Sequence, residues 1–196
     1  MTKDITTALR PALTLLLAFA LLLGLAYPLA MTGIGQLLFP AQANGSLIRD
    51  KGRIVGSELI GQRFASPGYF HGRPSAAGDG YNAAASSGSN LAPNAKALID
   101  RTTASISEIR ASGVTGAIPA DLVTTSASGL DPHISPEAAF SQVARVARAR
   151  GLPEGRVMAL AKGAVETPLI GIIGERRVNV LLLNRALDAQ PPARAR

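Results

Sequence analysis

No charged residue occurs between Arg10 and Arg49, a stretch of 38 residues. Such a stretch needs an apolar solvent or a very large core, so it excludes an ordinary soluble globule. Residues 12–38, ALTLLLAFALLLGLAYPLAMTGIGQLL, exceed the roughly 20 residues that a helix needs to cross the hydrocarbon core of a bilayer. The sequence therefore predicts a membrane-spanning helix over residues 11–38, after a short tail at residues 1–10.

Prolines and small residues predict where this helix begins, where it bends and where another helix could pack. Pro11 suits the first helical turn, where the N–H that it lacks has no partner to lose. Pro28 is expected to kink the helix. Ala20 and Gly24 lie four positions apart, a spacing that lets a second helix approach closely, so both are candidate partner contacts.

A cleaved signal peptide is the alternative for this segment. Ala41-Gln42-Ala43 has the small-x-small form of a cleavage site, but the apolar core continues to Leu38, beyond the ~7–15 residues usual in signal peptides. The sequence thus favours an uncleaved anchor. Because long domains cross membranes largely regardless of their charge, we expect the tail in the cytoplasm and the domain outside.

Charge and cysteine content exclude several function classes. The 196 residues include no cysteine, which excludes thiol catalysis, Cys-ligated metals and disulfides. Of the formal net charge of +7, residues 140–196 supply +6, ten Lys/Arg less four Asp/Glu, without a basic run or interleaved aromatics. We therefore expect no nucleic-acid partner. The G-x-x-x-x-G-K-[ST], G-x-S-x-G, H-E-x-x-H and G-x-G-x-x-G motifs are also missing, which argues against several large enzyme classes.

Beyond the span, helical and strand patterns alternate without a βαβ rhythm, which predicts an α+β fold in one extracytoplasmic domain. This domain is expected over residues 39–188, followed by a frayed tail at 189–196. The predicted elements are a strand or short apolar segment at 53–64, a strand at 177–184 with a short helical end to Asp188, and helices at 95–111, 135–150 and 153–165.

Three local expectations follow from the same patterns. Ser135 and Pro136 form the clearest helix start, with the hydroxyl as cap. Within that helix, Arg145 is assigned to the solvent-exposed side. The Gly/Ser/Asn-rich segment Ser75–Asn94 is either disordered or an ordered loop, and composition does not separate these alternatives.

His133 is the one tempting catalytic side chain. Asp131 could orient its imidazole, and Ser126 or Ser128 could act as nucleophile, which makes a membrane-anchored periplasmic hydrolase the alternative function. A turn followed by a helix cap explains the same residues without catalysis. His71 could join His133 and an aspartate in a metal site, although the spacing is not diagnostic.

Several segments in a fixed order carry a family resemblance. They are Tyr27-Pro28, NGSLI at 44–48, GSELIGQ at 56–62, YFHGRPS at 69–75, GSNL at 88–91, VTTSASGLDPHIS at 123–135, Gln142, RVA at 145–147, Arg150 and VNVL at 178–181. Together they resemble the C subunit family (KdpC) of the Kdp potassium-transporting ATPase, over nearly the whole chain.

The resemblance implies a complex in the bacterial inner membrane. A channel-like subunit would bind potassium, and a P-type subunit would hydrolyse ATP. The present chain would be an accessory subunit that is not an enzyme on its own and holds no tightly bound cofactor.

Two accounts of such a subunit follow from the resemblance. One describes a catalytic chaperone that raises the ATP affinity of the pump subunit, with Gln142 as nucleotide contact. The other places the domain on the outer face of the channel-like subunit, where it supports assembly, and the expected topology favours this account because an outside domain cannot meet cytoplasmic ATP. Candidate partner contacts in the resembling segments are Tyr69, Phe70, His71, Arg73, Asp131 and His133.

Overall fold

The computed structural model describes residues 2–168 and 174–191. The chain divides into two compact units, Met1–Leu47 and Ile48–Arg196, and each is described separately. Of the frayed tail predicted at 189–196, residues 192–196 lie outside the described residues.

The first unit is a long apolar helix that ends at Leu38 as predicted but begins at Thr2, so Pro11 lies inside it and not in its first turn. Helix α1 (Thr2–Leu21) continues through a π-helical turn (Leu22–Ala26) into α2 (Tyr27–Leu38). Within Thr6–Leu38, an 18-residue window has a mean hydropathy of 2.2, and none of that window is buried within the protein. Its length and composition are those of a membrane-spanning helix.

The irregularity expected at Pro28 occurs in the preceding turn. Pro28 has no N–H to donate to the carbonyl of Gly24, and its ring crowds that carbonyl. Gly24 lies within the π-helical turn, whose wider winding relieves this crowding. A short helix, α3 (Pro40–Ala43), and a hydrogen bond from Asn44 Nδ2 to Gln36 Oε1 (2.9 Å) follow the span.

The second unit begins with a β-hairpin. Strands β1 (Leu47–Asp50) and β2 (Arg53–Ser57) pair across a two-residue turn. Lys51 and Gly52 in this turn have φ of 46° and 81°, the left-handed conformation that tight hairpin turns require. The predicted strand at 53–64 therefore ends at Ser57 and has a partner that the sequence did not indicate.

A small antiparallel sheet covered by helices forms the core. Strand β5 (Arg177–Asn179) lies between β3 (His133–Ile134) and β4 (Val165–Glu166). His133 pairs with Asn179, and Val165 pairs with Val178. The packed helices are α5 (Pro136–Ser141), α6 (Val143–Arg150), α7 (Glu154–Gly163) and α8 (Val180–Asp188). The buried side chains of the core, from the sheet, the helices and one loop, include Phe70, Ile134, Val146, Val157, Val178, Leu183 and Leu187. Mixed helix and strand content confirms the α+β prediction at this level.

The strand predicted at 177–184 is wrong beyond Asn179. The Asn179 side chain accepts a hydrogen bond from the Leu182 amide (3.1 Å) and so starts α8 three residues into the apolar run. Buried residues of α8 then recur at Val180, Leu183 and Leu187, which is helical spacing. An apolar run of this length suits either element, and the cap decides between them.

The helix predicted at 135–150 is two helices. Ser135 caps α5 as predicted, with its hydroxyl accepting from Ala138 N (3.0 Å). The backbone leaves regular α-helical geometry at Gln142, which separates α5 from α6. The expectation that Arg145 faces solvent is wrong, because its guanidinium is half-buried against a neighbouring loop.

Helix α4 (Lys96–Ala111) matches its prediction closely in extent. Its half-buried side carries Leu98, Thr102 and Ile109, whereas Ile99 and Ile106 are 56% and 39% exposed. The segment Ser75–Asn94 is an ordered loop, since Ser87 N donates to Ser128 O (3.0 Å) and Ala77 is fully buried.

Candidate functional site

A buried amide of α5–α6 holds the backbone of the loop at residues 69–73. Gln142 is 3% exposed. Its Oε1 accepts from the backbone N–H of His71 (2.8 Å) and from Arg145 Nη2 (2.6 Å). Its Nε2 donates to the carbonyls of His71 (3.1 Å) and Ala138 (3.2 Å). All four hydrogen-bonding positions of the amide are thus occupied inside the protein.

Asn184 holds the preceding residue in the same manner. Its Oδ1 accepts from Phe70 N (2.8 Å), and its Nδ2 donates to Phe70 O (2.9 Å). Asn184 is 1% exposed, and the Phe70 ring is fully buried. Two side-chain amides from different helices therefore replace the neighbouring strand that an extended segment normally requires.

Two arginines of α6 also hold this loop, and together with Gln142 and Asn184 they form what we call the clamp. Arg145 Nη1 donates to the carbonyls of Pro67 (2.6 Å) and Tyr69 (3.0 Å), and burial lowers the pKa of its guanidinium from the ordinary value. Arg150 Nε donates to Gly68 O (2.6 Å), and its guanidinium lies 4.6 Å from the centre of the Tyr69 ring. The loop is therefore held at consecutive carbonyls by fixed cations.

Tyr69 and Asp188 tie the same loop to the end of α8. Tyr69 Oη donates to Asp188 Oδ2 (3.0 Å), and Arg150 Nη2 lies 2.7 Å from Asp188 Oδ1. The carboxylate thus bridges a phenol and a guanidinium. Tyr69 is held from both sides and is only partly exposed.

The surroundings of the His71 ring favour its neutral form. Its Nε2 lies 3.1 Å from the carbonyl of Ser66, so this nitrogen carries the proton. Burial, followed by the charge of Arg145, lowers the pKa of His71 below 6.5, and these effects outweigh the hydrogen bond to Ser66. His71 therefore serves as a neutral hydrogen-bond donor within the loop.

Arg73 and Asp131 join this loop to the segment before β3. Arg73 Nη1 lies 3.1 Å from Asp131 Oδ2. The same guanidinium donates to the Thr124 carbonyl (3.4 Å) and the Thr125 carbonyl (3.3 Å). Their side chains are 25% and 29% exposed, so the pair is neither fully buried nor a simple surface bridge.

His133 contacts the same carboxylate. Its backbone N–H donates to Asp131 Oδ1 (3.0 Å), and its Nδ1 lies 3.5 Å from that oxygen. Burial raises the pKa of Asp131, but hydrogen bonds from His133 and from Arg73 outweigh it, so the net pKa lies below the ordinary value. Asp131 is therefore a carboxylate that organises the turn into β3.

Tyr81 fixes the far side of the loop. Its hydroxyl donates to the Arg73 carbonyl, and its own backbone N–H donates to Ser75 Oγ (2.7 Å). Burial, followed by the charge of Asp131, raises the pKa of Tyr81, which keeps the phenol protonated. Ser75 Oγ also donates to Gly129 O (2.6 Å), linking the ordered loop to the residues before Asp131.

These contacts leave an open cleft of about 990 Å³ beside the Arg73–Asp131 pair. Its walls carry charges of both signs, including Arg73, Asp131, Glu137 and Arg177 together with His133. A smaller cleft of about 320 Å³ on the other side of Arg73 is lined by His71 and Gln142. The fold thus brings Arg73, Asp131 and His133 into one cluster and pairs His71 with Gln142, while Tyr69 lies at the Asp188 end.

Neither predicted serine nucleophile forms a hydrogen bond with His133 among the described residues. Ser126 Oγ and Ser128 Oγ lie 3.4 Å from each other, and Ser128 Oγ accepts from Leu130 N (3.1 Å). Ser135, the next hydroxyl along the chain, donates to Asp121 Oδ1 (3.1 Å) while capping α5. The arrangement lacks the nucleophile-to-base hydrogen bond of a hydrolase within the described residues.

Metal and nucleotide sites were the other chemical expectations. Among residues 2–168 and 174–191, no group of three or more His, Asp or Glu side chains is placed to hold a metal ion. Gln142, the predicted nucleotide contact, is buried, and its amide forms all of its hydrogen bonds within the protein. Similarly, the buried Phe70 ring offers no surface to a partner.

Sequence reasoning missed Asn184 and Arg145 as parts of this site. Asn184 lies on the apolar face of α8, between Leu183 and Leu187, and a polar residue in that position signals a buried hydrogen bond. Arg145 gave no such signal, since its loop partners are more than 70 residues away in sequence. Ala20 and Gly24 are exposed on the apolar helix, with nothing within 4 Å of a Cβ added at Gly24.

Known proteins resemble the chain over almost its full length. Residues 9–189 match the family model described as KdpC: K+-transporting ATPase, c chain. The chain is 62% identical over 185 residues to the potassium-transporting ATPase KdpC subunit of Caulobacter vibrioides (strain NA1000 / CB15N), with 94% of each protein covered. It is 59% identical over 190 residues to the protein of the same name from Polaromonas naphthalenivorans (strain CJ2), covering 95% of this chain and 97% of that protein. A third relative of that name, from Rhodopseudomonas palustris (strain ATCC BAA-98 / CGA009), is 53% identical over 195 residues.

Proposed function

Since the chain belongs to the KdpC family of potassium-transporting ATPase subunits, we propose that it is a non-catalytic accessory subunit of an ATP-driven potassium uptake complex. Its helix anchors it in the bacterial inner membrane. Its domain lies outside the cytoplasm and docks on the potassium-binding, channel-like subunit, and a separate P-type subunit hydrolyses ATP.

One observation carries this proposal: the polar side chains of the site form hydrogen bonds to a loop of the same protein. The side-chain amides of Asn184 and Gln142 form hydrogen bonds with the backbone of Phe70 and His71, respectively. A surface that is rigid before it binds loses little conformational entropy on docking. An assembly subunit needs a rigid docking surface but no nucleophile and base. A hydrolase needs both catalytic groups.

The docking surface that the geometry supports is the rim of the cleft beside Arg73, Asp131 and His133. These side chains are 22–29% exposed, so they are partly open to a partner while their positions are fixed. The lining carries both signs of charge, which favours a protein partner with complementary charges over a single small anion.

Co-purification tests the assembly role. A tagged full-length chain is solubilised from membranes in mild detergent, and we expect the channel-like and P-type subunits to elute with it. Arg73→Gln should reduce the amount of both, whereas Arg148→Gln, a matched change at an exposed position of α6, should leave it unchanged. A chain that elutes without a P-type subunit would contradict the proposal, and the melting temperature of Arg73→Gln separates lost docking from lost folding.

Any effect on ATP affinity is proposed to reach the pump subunit through the complex, without contact between Gln142 and nucleotide. Photolabelling of the assembled complex with an azido-ATP analogue tests this. We expect label on the P-type subunit, and label on peptides around Gln142 would establish the direct contact instead.

Topology can be tested with single cysteines, because the chain has none of its own. Ser107→Cys lies on exposed α4, and Lys3→Cys lies in the N-terminal tail. In cells with a permeabilised outer membrane, an impermeant maleimide should label Ser107→Cys, and Lys3→Cys only after lysis. The opposite pattern would place the domain in the cytoplasm and overturn the proposed location.

A further inference from the structure

The hairpin that opens the second unit exposes apolar side chains on both of its faces. Ile54 is 54% exposed, Val55 is 39% exposed, and Leu59 just after the hairpin is 58% exposed. Consecutive strand residues point to opposite faces, so exposure of both Ile54 and Val55 means that neither face is fully covered. In a hairpin bathed by water, the open face ordinarily carries polar residues.

The same hairpin carries an excess of positive charge. Arg49, Lys51 and Arg53 are exposed, against Asp50 within the hairpin and Glu58 just after it. Lys51 occupies the tight turn with its backbone in the left-handed conformation. Apolar side chains flanked by cations form the combination that inserts at the boundary between headgroups and acyl chains of an anionic membrane.

The base of the hairpin is fixed to the body of the domain. Gln62 Nε2 donates to Val55 O (3.0 Å), and Asn179 Nδ2 donates to Glu58 O (2.8 Å). A Cβ added at Gly56 would lie 2.8 Å from Leu181 Cδ2, which shows how closely the strand passes α8. The hairpin is therefore fixed to the domain, while the side chains of Ile54 and Val55 stay exposed.

The segment that connects the apolar helix to the hairpin is short. The apolar helix ends at Leu38, and β1 starts at Leu47. The connecting segment of residues 39–46 spans at most about 30 Å when fully extended. It is shorter here because Pro40–Ala43 is helical.

We propose that the β1–β2 hairpin lies in the headgroup region of the bilayer that holds the N-terminal helix. Ile54, Val55 and Leu59 contact the acyl-chain boundary, and Lys51 and Arg53 contact anionic headgroups. The inference requires that the helix is in the membrane, but it does not depend on the proposed docking role.

Single-tryptophan variants of the full-length chain test this, since the protein contains no tryptophan. Each variant is reconstituted in nanodiscs of phosphatidylcholine and phosphatidylglycerol with brominated acyl chains, which quench only nearby indoles. Ile54→Trp reports the hairpin, Phe19→Trp reports the span, and Ile99→Trp reports a similarly exposed position on α4.

We expect strong quenching of Phe19→Trp and Ile54→Trp, several-fold above that of Ile99→Trp. Leu59→Trp provides a second reporter of the same surface if Ile54→Trp is poorly folded. Equal, weak quenching of Ile54→Trp and Ile99→Trp beside a quenched Phe19→Trp would overturn the hairpin proposal and leave the proposed function standing. An unquenched Phe19→Trp would overturn both, because the anchor itself would be missing.

Two further experiments test the role of the cations and ask whether lipid or a partner protein covers the hairpin. Replacing Lys51 and Arg53 with Gln in the Ile54→Trp chain should reduce quenching, as should nanodiscs of phosphatidylcholine alone; undiminished quenching in both would overturn the role of the cations. In the assembled complex, Ile54→Trp should remain accessible to brominated lipid. Loss of that quenching on assembly would identify a protein partner as the occupant and overturn the lipid proposal.

Discussion

The side-chain amide of Asn184 donates to the carbonyl of Phe70 and accepts from the N–H of the same residue. This pair of bonds reproduces what a neighbouring β-strand would give to Phe70. It joins residues 114 positions apart and takes place where both partners are buried. One amide in α8 thus holds Phe70, in the loop that Gln142 and Arg145 hold at the neighbouring residues.

Removing this amide should destabilise the domain strongly. Asn184→Ala leaves both backbone groups of Phe70 buried without partners, and each such group costs about 1–3 kcal/mol. We expect a loss of about 2–4 kcal/mol in the free energy of unfolding, measured by denaturant titration of the full-length chain in detergent, followed by circular dichroism.

Asn94→Ala is the matched control, since Asn94 is exposed in the loop before α4. Its unfolding free energy should change by less than about 0.5 kcal/mol. Comparable stability of the two variants would mean that the Phe70 backbone finds other partners, which would contradict the clamp.

The sequence could predict features that depend on neighbouring residues. The charge-free stretch predicted the apolar helix, and Ser135 followed by Pro136 predicted the start of α5 because a cap involves residues only three positions away. The extent of α4 followed from its helical spacing. The short strands β3 and β4, two residues each, carry too few positions for any periodicity.

Such local patterns could not predict the contacts that hold the loop. Gln142 and Arg145 contact backbone atoms more than 70 positions away, and backbone carbonyls carry no sequence signature. Helical spacing even misassigned Arg145 to solvent, since it reports a face of the helix and not what packs against that face. Family resemblance pointed to Gln142, but it could not show that the amide is buried.

Acidification through the histidine range should weaken the fold through His71. Its pKa in the folded protein lies below the ordinary value because of burial and the charge of Arg145, so the unfolded chain takes up the proton first. Stability should therefore fall as pH drops below about 6.5, with a slope of at most about 1.4 kcal/mol per pH unit for one proton.

Unfolding of the full-length chain at a series of pH values checks this, with His71→Gln as the test variant. The stability of His71→Gln should depend less steeply on pH in this range than that of the wild type. If His71→Gln and wild type lose stability in parallel, His71 is not the group that titrates.

The Asp131 carboxylate should act in a more acidic range and in the opposite sense. Its folded pKa is lowered because hydrogen bonds from His133 and Arg73 outweigh the effect of burial. The stabilisation is therefore fully present above the unfolded value of about 3.9 and is lost as pH falls towards the folded pKa. Asp131→Asn should lower stability at neutral pH by about 1 kcal/mol and flatten the acid limb of the curve.

Asp100→Asn is the control for that experiment. Asp100 forms an exposed ion pair with Lys96 one turn away on α4, at 2.7 Å, with side chains 58% and 86% exposed. Because exposed pairs contribute little, this variant should retain the wild-type acid limb. An acid limb that flattens equally in both variants would remove the special role of Asp131.

Gly129 should be the residue that keeps the Ser75–Asn94 loop closed. Its φ is +67°, and a Cβ there would lie 2.6 Å from Ala77 N and 2.7 Å from Ser87 O, both backbone atoms that cannot move independently. Gly129→Ala should therefore push the loop outward and destabilise the domain by at least about 2 kcal/mol. Chymotrypsin should then cleave after Tyr81 faster than in wild type, since the tyrosine leaves its contact with the Arg73 carbonyl. Gly155→Ala on α7 is the control, because a Cβ there meets nothing within 4 Å, and it should leave cleavage unchanged while stabilising the helix slightly. Equal cleavage rates for Gly129→Ala and wild type would show that the loop closes without the left-handed glycine.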